Sequence, residues 1–222
     1  MLTYGKGLEG RLGHGQNYTM SEASKLKPAK VEQLSKMSVT KIGCGKDSTY
    51  AITDTGRLYT WGHHQYGKLG HKHIHGCVPV PKLIETLEKF NVVLCTMGRN
   101  HSFCLTDKGN VYAWGSNTFG QLGLQGVTSQ IQHPQEVPEL RDVRVKDIAC
   151  GGFHTLLCTW DYQVYSCGKG WHGQLGQGDY ESLTGLSLSL SLSLARSLCV
   201  CACVRVCLCV CVCTSLRVIV SP

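Results

Sequence analysis

A spacing of 53 residues recurs along this chain and leaves few folds open to it. Gly45, Gly98 and Gly151 stand 53 apart, and so do Pro28, Pro81 and Pro134. A third element ends in Leu-Gly at Gly13, Gly70, Gly123 and Gly176, with intervals of 57, 53 and 53. Self-similarity at a fixed long period is the mark of a repeat architecture, in which each unit buries its apolar surface against its neighbours. The units run at about 14–70, 71–123 and 124–176, preceded by a half unit, 1–13.

Each unit reads as β-structure. Short apolar runs at Tyr50–Thr53, Phe103–Thr106 and Leu156–Thr159 have strand length. Thr-Asp-Thr-Gly (53–56) and Thr-Asp-Lys-Gly (106–109) are turn signals. Arg57–Trp61 and Asn110–Trp114 then resume as strands, which makes a hairpin. Val39–Ile42, Val92–Leu94 and Val145–Ile148 supply a preceding strand, and a fourth is expected after each proline. Three or four short strands per unit, without a helical period, predict an all-β chain built of four-stranded propeller blades. About three blades are present, so the propeller is partial.

The repeated motif is Gly-x-x-His-Ser/Thr, an apolar strand, a turn, then Val-Tyr-Ala-Trp-Gly-Ser-Asn-Thr-Phe-Gly-Gln-Leu-Gly, as in residues 95–123. It resembles the repeat of the regulator of chromosome condensation family. Residues 148–176 fit with Trp160-Asp161-Tyr162 in place of the Asp-Gly turn. The resemblance covers 2–182 and implies a propeller that closes at seven blades. It also implies protein partners, a small GTPase among them, since the archetype of the family exchanges guanine nucleotides. The ultraviolet-sensing branch carries Gly-Trp-Arg-His-Thr where this chain has Gly-Gly-Phe-His-Thr (151–155) and Gly-Arg-Asn-His-Ser (98–102), which argues against that branch.

Residues 183–222 read differently. Leu-Ser alternates over 186–194 and Cys-Val over 199–213, the products of CT and TG dinucleotide repeats. We read this segment as a low-complexity tail of translated repeat DNA. It holds seven of the 14 Cys and none of the 15 acids. Residues 1–182 carry 19 Lys and Arg against those 15 acids, too small an excess to predict specific nucleic-acid binding. Arg205 and Arg217 leave no apolar run of membrane-spanning length, and the N-terminus has none of signal-peptide length. The cysteines of 1–182 show no paired spacing. These features point to the cytoplasm or nucleus.

Two Gly-x-Gly-x-x-Gly strings, 5–10 and 168–173, are copies of the repeat loop rather than nucleotide-binding turns, because neither leads into a helical pattern. There is no nucleophile elbow or Walker loop, and Asp54 and Asp107 lie one repeat apart. No cofactor is implied and no catalytic residue is assigned. His71, His73, His75 and Cys77 would face one side of an extended segment and are the metal-ligand candidates, set against a plain solvent loop, since 124–130 of the next unit lack them. His101 and His154 occupy one repeat position, with Ser48 in the first unit, and are read as closing a hydrogen bond to neighbouring backbone. Repeat-specific loop residues are the interaction candidates: His63, His64, Tyr66, His71, His73, His75, Trp171 and His172, with His101 and His154 as a second choice. Gly45, Gly98, Gly151, Trp61, Gly62, Gly70, Trp114, Gly115, Gly123, Gly168 and Gly176 are read as scaffold. The expected function is a non-enzymatic interaction propeller, a piece of a larger regulatory protein. The alternatives are guanine-nucleotide exchange, or substrate docking for a ubiquitin ligase or kinase.

Overall fold

The computed structural model describes residues 1–15, 24–74, 76–127, 129–188 and 216–219. They form three consecutive four-stranded antiparallel meanders. The first contains β3 (Val39–Cys44), β4 (Ser48–Thr53), β5 (Leu58–His63) and β6 (Cys77–Leu83). The second contains β7 (Val92–Met97), β8 (His101–Thr106), β9 (Val111–Gly115) and β10 (Ile131–Glu136). The third contains β11 (Val145–Cys150), β12 (His154–Thr159), β13 (Val164–Gly168) and β14 (Leu183–Leu188). A three-stranded sheet precedes them, in which β1 (Leu2–Lys6) lies between β2 (Ser24–Lys30) and β15 (Leu216–Ile219). The expected fold class holds: the chain is all-β and makes about three four-stranded blades.

Two details differ from the sequence reading. The fourth strand contains the proline, at Pro81 and Pro134, instead of starting after it. Bulges interrupt β5–β6 pairing between Thr60 and Gly62 and β9–β10 pairing between Ile131 and Gln135, so the missing proline N–H falls where the ladder is already broken. Each of β2, β6 and β10 then runs into a one-turn 3-10 helix, Glu32–Leu34, Glu85–Leu87 or Pro138–Leu140, bracketed by buried Val31 and Leu34, Ile84 and Leu87, or Val137 and Leu140. Each fourth strand therefore belongs to the sequence unit after the one that supplies the other three.

The second difference is the boundary at 182. Leu183–Leu188 takes the place of β6 and β10, 52 rather than 53 residues after its equivalents in β10, and pairs with β13 through Tyr165↔Leu188, Ser166↔Ser187 and Gly168↔Leu183. Leu186 packs under Gly123 of the preceding blade. The Leu-Ser alternation that marks biased composition is also the period of a strand. The rest of the expected tail, 189–215 and 220–222, lies outside the described residues.

The blades stack through one repeated joint. Hydroxyls of the second strand reach back to the preceding blade: Thr49 Oγ1 donates to Arg11 O at 2.8 Å, Ser102 Oγ to Lys68 O at 2.7 Å, and Thr155 Oγ1 to Gln121 O at 2.8 Å. The same carbonyls accept from Trp61 Nε1 at 3.0 Å and Trp114 Nε1 at 2.8 Å, with the Cys167 thiol in the third position at 3.4 Å. Both indoles are fully buried. A Cβ on Gly70 would stand 3.0 Å from Trp114 Nε1, so the Leu-Gly glycine makes room for the next blade's tryptophan. The middle blade is covered on both sides, and every residue of β8 is buried. Its strand accordingly reads as a continuous run rather than an alternating one.

Candidate functional site

Antiparallel order sorts the connections onto two ends of the blades. The turns between first and second strands share one face with the long loops between third and fourth strands. That loop face carries most of the candidate residues.

The repeat histidines build its inner rim. His101 is fully buried and its Nε2 lies 2.9 Å from Thr155 Oγ1 of the next blade. Thr155 gives its proton to Gln121 O, so the imidazole is the donor and carries its proton on Nε2. A side-chain hydroxyl is thus a partner alongside the backbone of His154. Burial pushes the His101 pKa down to about 3, and His154 is also lowered by burial. Gly98 is glycine because a Cβ there would stand 2.5 Å from the His101 ring and 2.4 Å from Gly151 O. His101 is thus a structural wedge between blades, whereas half-buried His154 lines an open cleft.

Among the described residues the histidine loop does not bring a metal-ligand set together. His71 is buried, with Nε2 2.9 Å from Thr60 Oγ1, which itself donates to Leu69 O. Desolvation lowers its pKa to about 4. His73 is exposed with φ +58°, and Cys77 opens β6 opposite His63. The segment turns instead of extending, so the shared face is lost. Among the described residues no cluster of three or more His, Cys, Asp or Glu could hold a metal. His75 lies outside the described residues. His64 is buried and stacks on His71 with centroids 6.4 Å apart, while His63 reaches Glu9 at 3.8 Å. His71 and His64 are therefore scaffold, which corrects their placement among docking residues.

The aromatic loop positions divide. Tyr66 and Trp171 are 42% and 56% exposed, so they are available for contact. Phe119 is half-buried and meets Phe153 and Trp171 edge-on at 5.5 and 5.8 Å. Next to these rings is a cleft of about 490 Å³ whose lining includes Lys46, Arg99, Phe153, His154, Lys169 and His172 and no carboxylate. Lys46 and Arg99 occupy the same turn position in adjacent blades. Arg99 lies 5.3 Å over Phe153, and Lys169 lies 3.9 Å over Trp171. Behind them Lys68 Nζ donates to Arg99 O at 3.1 Å, and burial pushes its pKa down to about 8. Sequence reasoning missed Lys46, Arg99 and Phe153, because only the fold brings turns 53 residues apart into one cleft.

Residues 1–52, 55–105 and 108–158 match the regulator of chromosome condensation (RCC1) repeat. The chain belongs to this family. Among RCC1-repeat proteins it is 35% identical over 183 residues to the human E3 ubiquitin-protein ligase HERC2, covering 82% of this chain and 4% of that protein. It is 36% identical over 177 residues to the Xenopus laevis serine/threonine-protein kinase Nek9, covering 79% and 18%. It is 33% identical over 181 residues to the Arabidopsis thaliana ultraviolet-B receptor UVR8, covering 81% and 39%. The chain thus spans well under half the length of these relatives. Among solved structures it is similar in fold to human WBSCR16, with TM-score 0.73, 21% identity, and coverage of 84% and 46%. The Saccharomyces cerevisiae Prp20p structure gives TM-score 0.73, 20% identity, and coverage of 85% and 45%. Among the described residues no helix is long and apolar enough to cross a membrane.

Proposed function

We propose that this chain is a non-catalytic protein-docking propeller, one part of a larger regulatory protein of the cytoplasm or nucleus, and that it docks through its loop face. The observation that carries this reading is the cleft, where side chains from three successive blades meet beside an exposed Trp171. A rigid sheet array that presents variable loops is a docking platform, and exposed tryptophan is a common interface anchor. The relatives support the reading, because the matched segment is a small share of a ubiquitin ligase and of a kinase. In such proteins the propeller would select what the catalytic region acts on.

The test compares two faces of one molecule. Trp171→Ser alters the loop face, and Trp160→Ser alters the opposite face, where Trp160 is equally exposed. Loss of a captured partner with the first variant and retention with the second supports loop-face docking. Equal retention by both refutes it. Guanine-nucleotide exchange is the alternative, suggested by the binding of Prp20p to Gsp1p. Accelerated release of a fluorescent GDP analogue from a small GTPase would favour it.

A further inference from the structure

We infer that the loop-face cleft recognises an acidic peptide segment of the partner. The inference rests on the docking reading above and adds the chemistry of what docks. Lys46, Arg99 and Lys169 come one from each blade and line one cleft, with Arg99 over Phe153 and Lys169 over Phe119 and Trp171. The charge of Arg99 and Lys169 is left over. The nearest carboxylate, Asp47, is held by Arg11 at 2.9 Å and lies 3.9 Å from Lys46. Among the described residues no carboxylate comes within 4.0 Å of Arg99 or Lys169. Unneutralised cations at a rim steer a ligand of opposite charge and set its register. The fold itself gains little from the charges of Lys46 and Arg99, since exposed cations add little to stability.

A peptide fits better than a nucleic acid. Base stacking needs open ring faces. Here Arg99 and Lys169 cover Phe153 at 5.3 and 5.7 Å, Lys169 covers Trp171 at 3.9 Å, and the rings meet each other edge-on. The cationic heads are left as the reactive surface, and side-chain carboxylates reach them from outside the cleft. The chain's modest excess of positive charge also lacks the extended basic stripe that a phosphate backbone tracks.

The experiment is fluorescence anisotropy on the full chain with a labelled peptide of eight alternating Asp and Glu residues. Its Asn/Gln counterpart and an oligo-dT strand serve as comparisons. The acidic peptide should bind, the amide peptide should not, and the oligonucleotide should bind more weakly. Arg99→Gln with Lys169→Gln should weaken the acidic peptide at least tenfold without changing the circular dichroism spectrum. Lys36→Gln with Lys108→Gln removes the same charge from the other face and should leave binding within twofold. Equal weakening by both pairs, equal binding of the amide peptide, or tighter binding of the oligonucleotide would overturn the inference. A partner that survives Arg99→Gln/Lys169→Gln but is lost with Trp171→Ser would also overturn it, while leaving loop-face docking intact.

Discussion

Lys68 O accepts two bonds from the following blade, one from Ser102 Oγ at 2.7 Å and one from Trp114 Nε1 at 2.8 Å. Either donor alone keeps this buried carbonyl satisfied. Ser102→Ala should therefore cost about 1 kcal/mol, the net worth of one hydrogen bond. Trp114→Phe keeps an aromatic ring in a fully buried site but loses the N–H and leaves a small void, about 2 kcal/mol together. The double variant leaves the carbonyl without a donor and adds the penalty for an unsatisfied buried group, about 1–3 kcal/mol. It should lose about 4–6 kcal/mol, more than the sum of the single changes. At roughly 2–4 °C per kcal/mol for a domain of this size, its Tm should fall by about 8–24 °C. Urea unfolding monitored by circular dichroism on all four chains of the cycle measures the coupling. Additivity within about 0.5 kcal/mol would refute the shared-acceptor account.

Burial lowers His101 from 6.5 to about 3 and His71 to about 4, so between those values and 6.5 the unfolded chain binds more protons than the folded one. Stability should be full above pH 6.5 and fall as pH drops, by about 1.4 kcal/mol per histidine between pH 7.5 and 5.5; an unchanged urea midpoint would contradict this. Tyr162 holds φ +64° where Gly56 and Gly109 hold the same turn, so Tyr162→Gly should raise the thermal midpoint by about 2–8 °C, recovering about 1–2 kcal/mol of backbone strain. Gly98→Ala puts a methyl 2.4 Å from Gly151 O and should destabilise by several times as much as Gly152→Ala, where nothing lies within 4 Å and φ is not positive; equal melting shifts would show that the rim gives way easily.

The strands were legible because the repeat samples the same pattern three times. Val39–Ile42, Val92–Leu94 and Val145–Ile148 all fall inside first strands. The 3-10 plug after β2, β6 and β10 was not legible, since a residue such as Ile84 reads as the continuation of an apolar strand until the structure shows the turn. Trp171 was found because its repeat position holds Gln65 and Thr118 in the other units, while Tyr66 and Phe119 stand one residue further along the same loop. Lys46 and Arg99 were passed over because a lone cation on a turn says nothing until the blades are stacked. The histidine loop misled for the opposite reason. His71, His73 and Cys77 alternate in sequence, but a residue with φ +58° breaks the strand geometry that alternation assumes.

The joint between blades has a direction. Its acceptor, the carbonyl of Arg11, Lys68 or Gln121, sits on the earlier blade, and its donors sit on the later one. Cutting after a blade exposes a single carbonyl that water can satisfy. Cutting before a blade uncovers an indole that had been wholly inside, at Trp61 or Trp114. The array should therefore tolerate shortening from its C-terminal end better than from its N-terminal end. During synthesis each new blade would also meet a finished surface waiting for its tryptophan, so assembly has a built-in order from first blade to last.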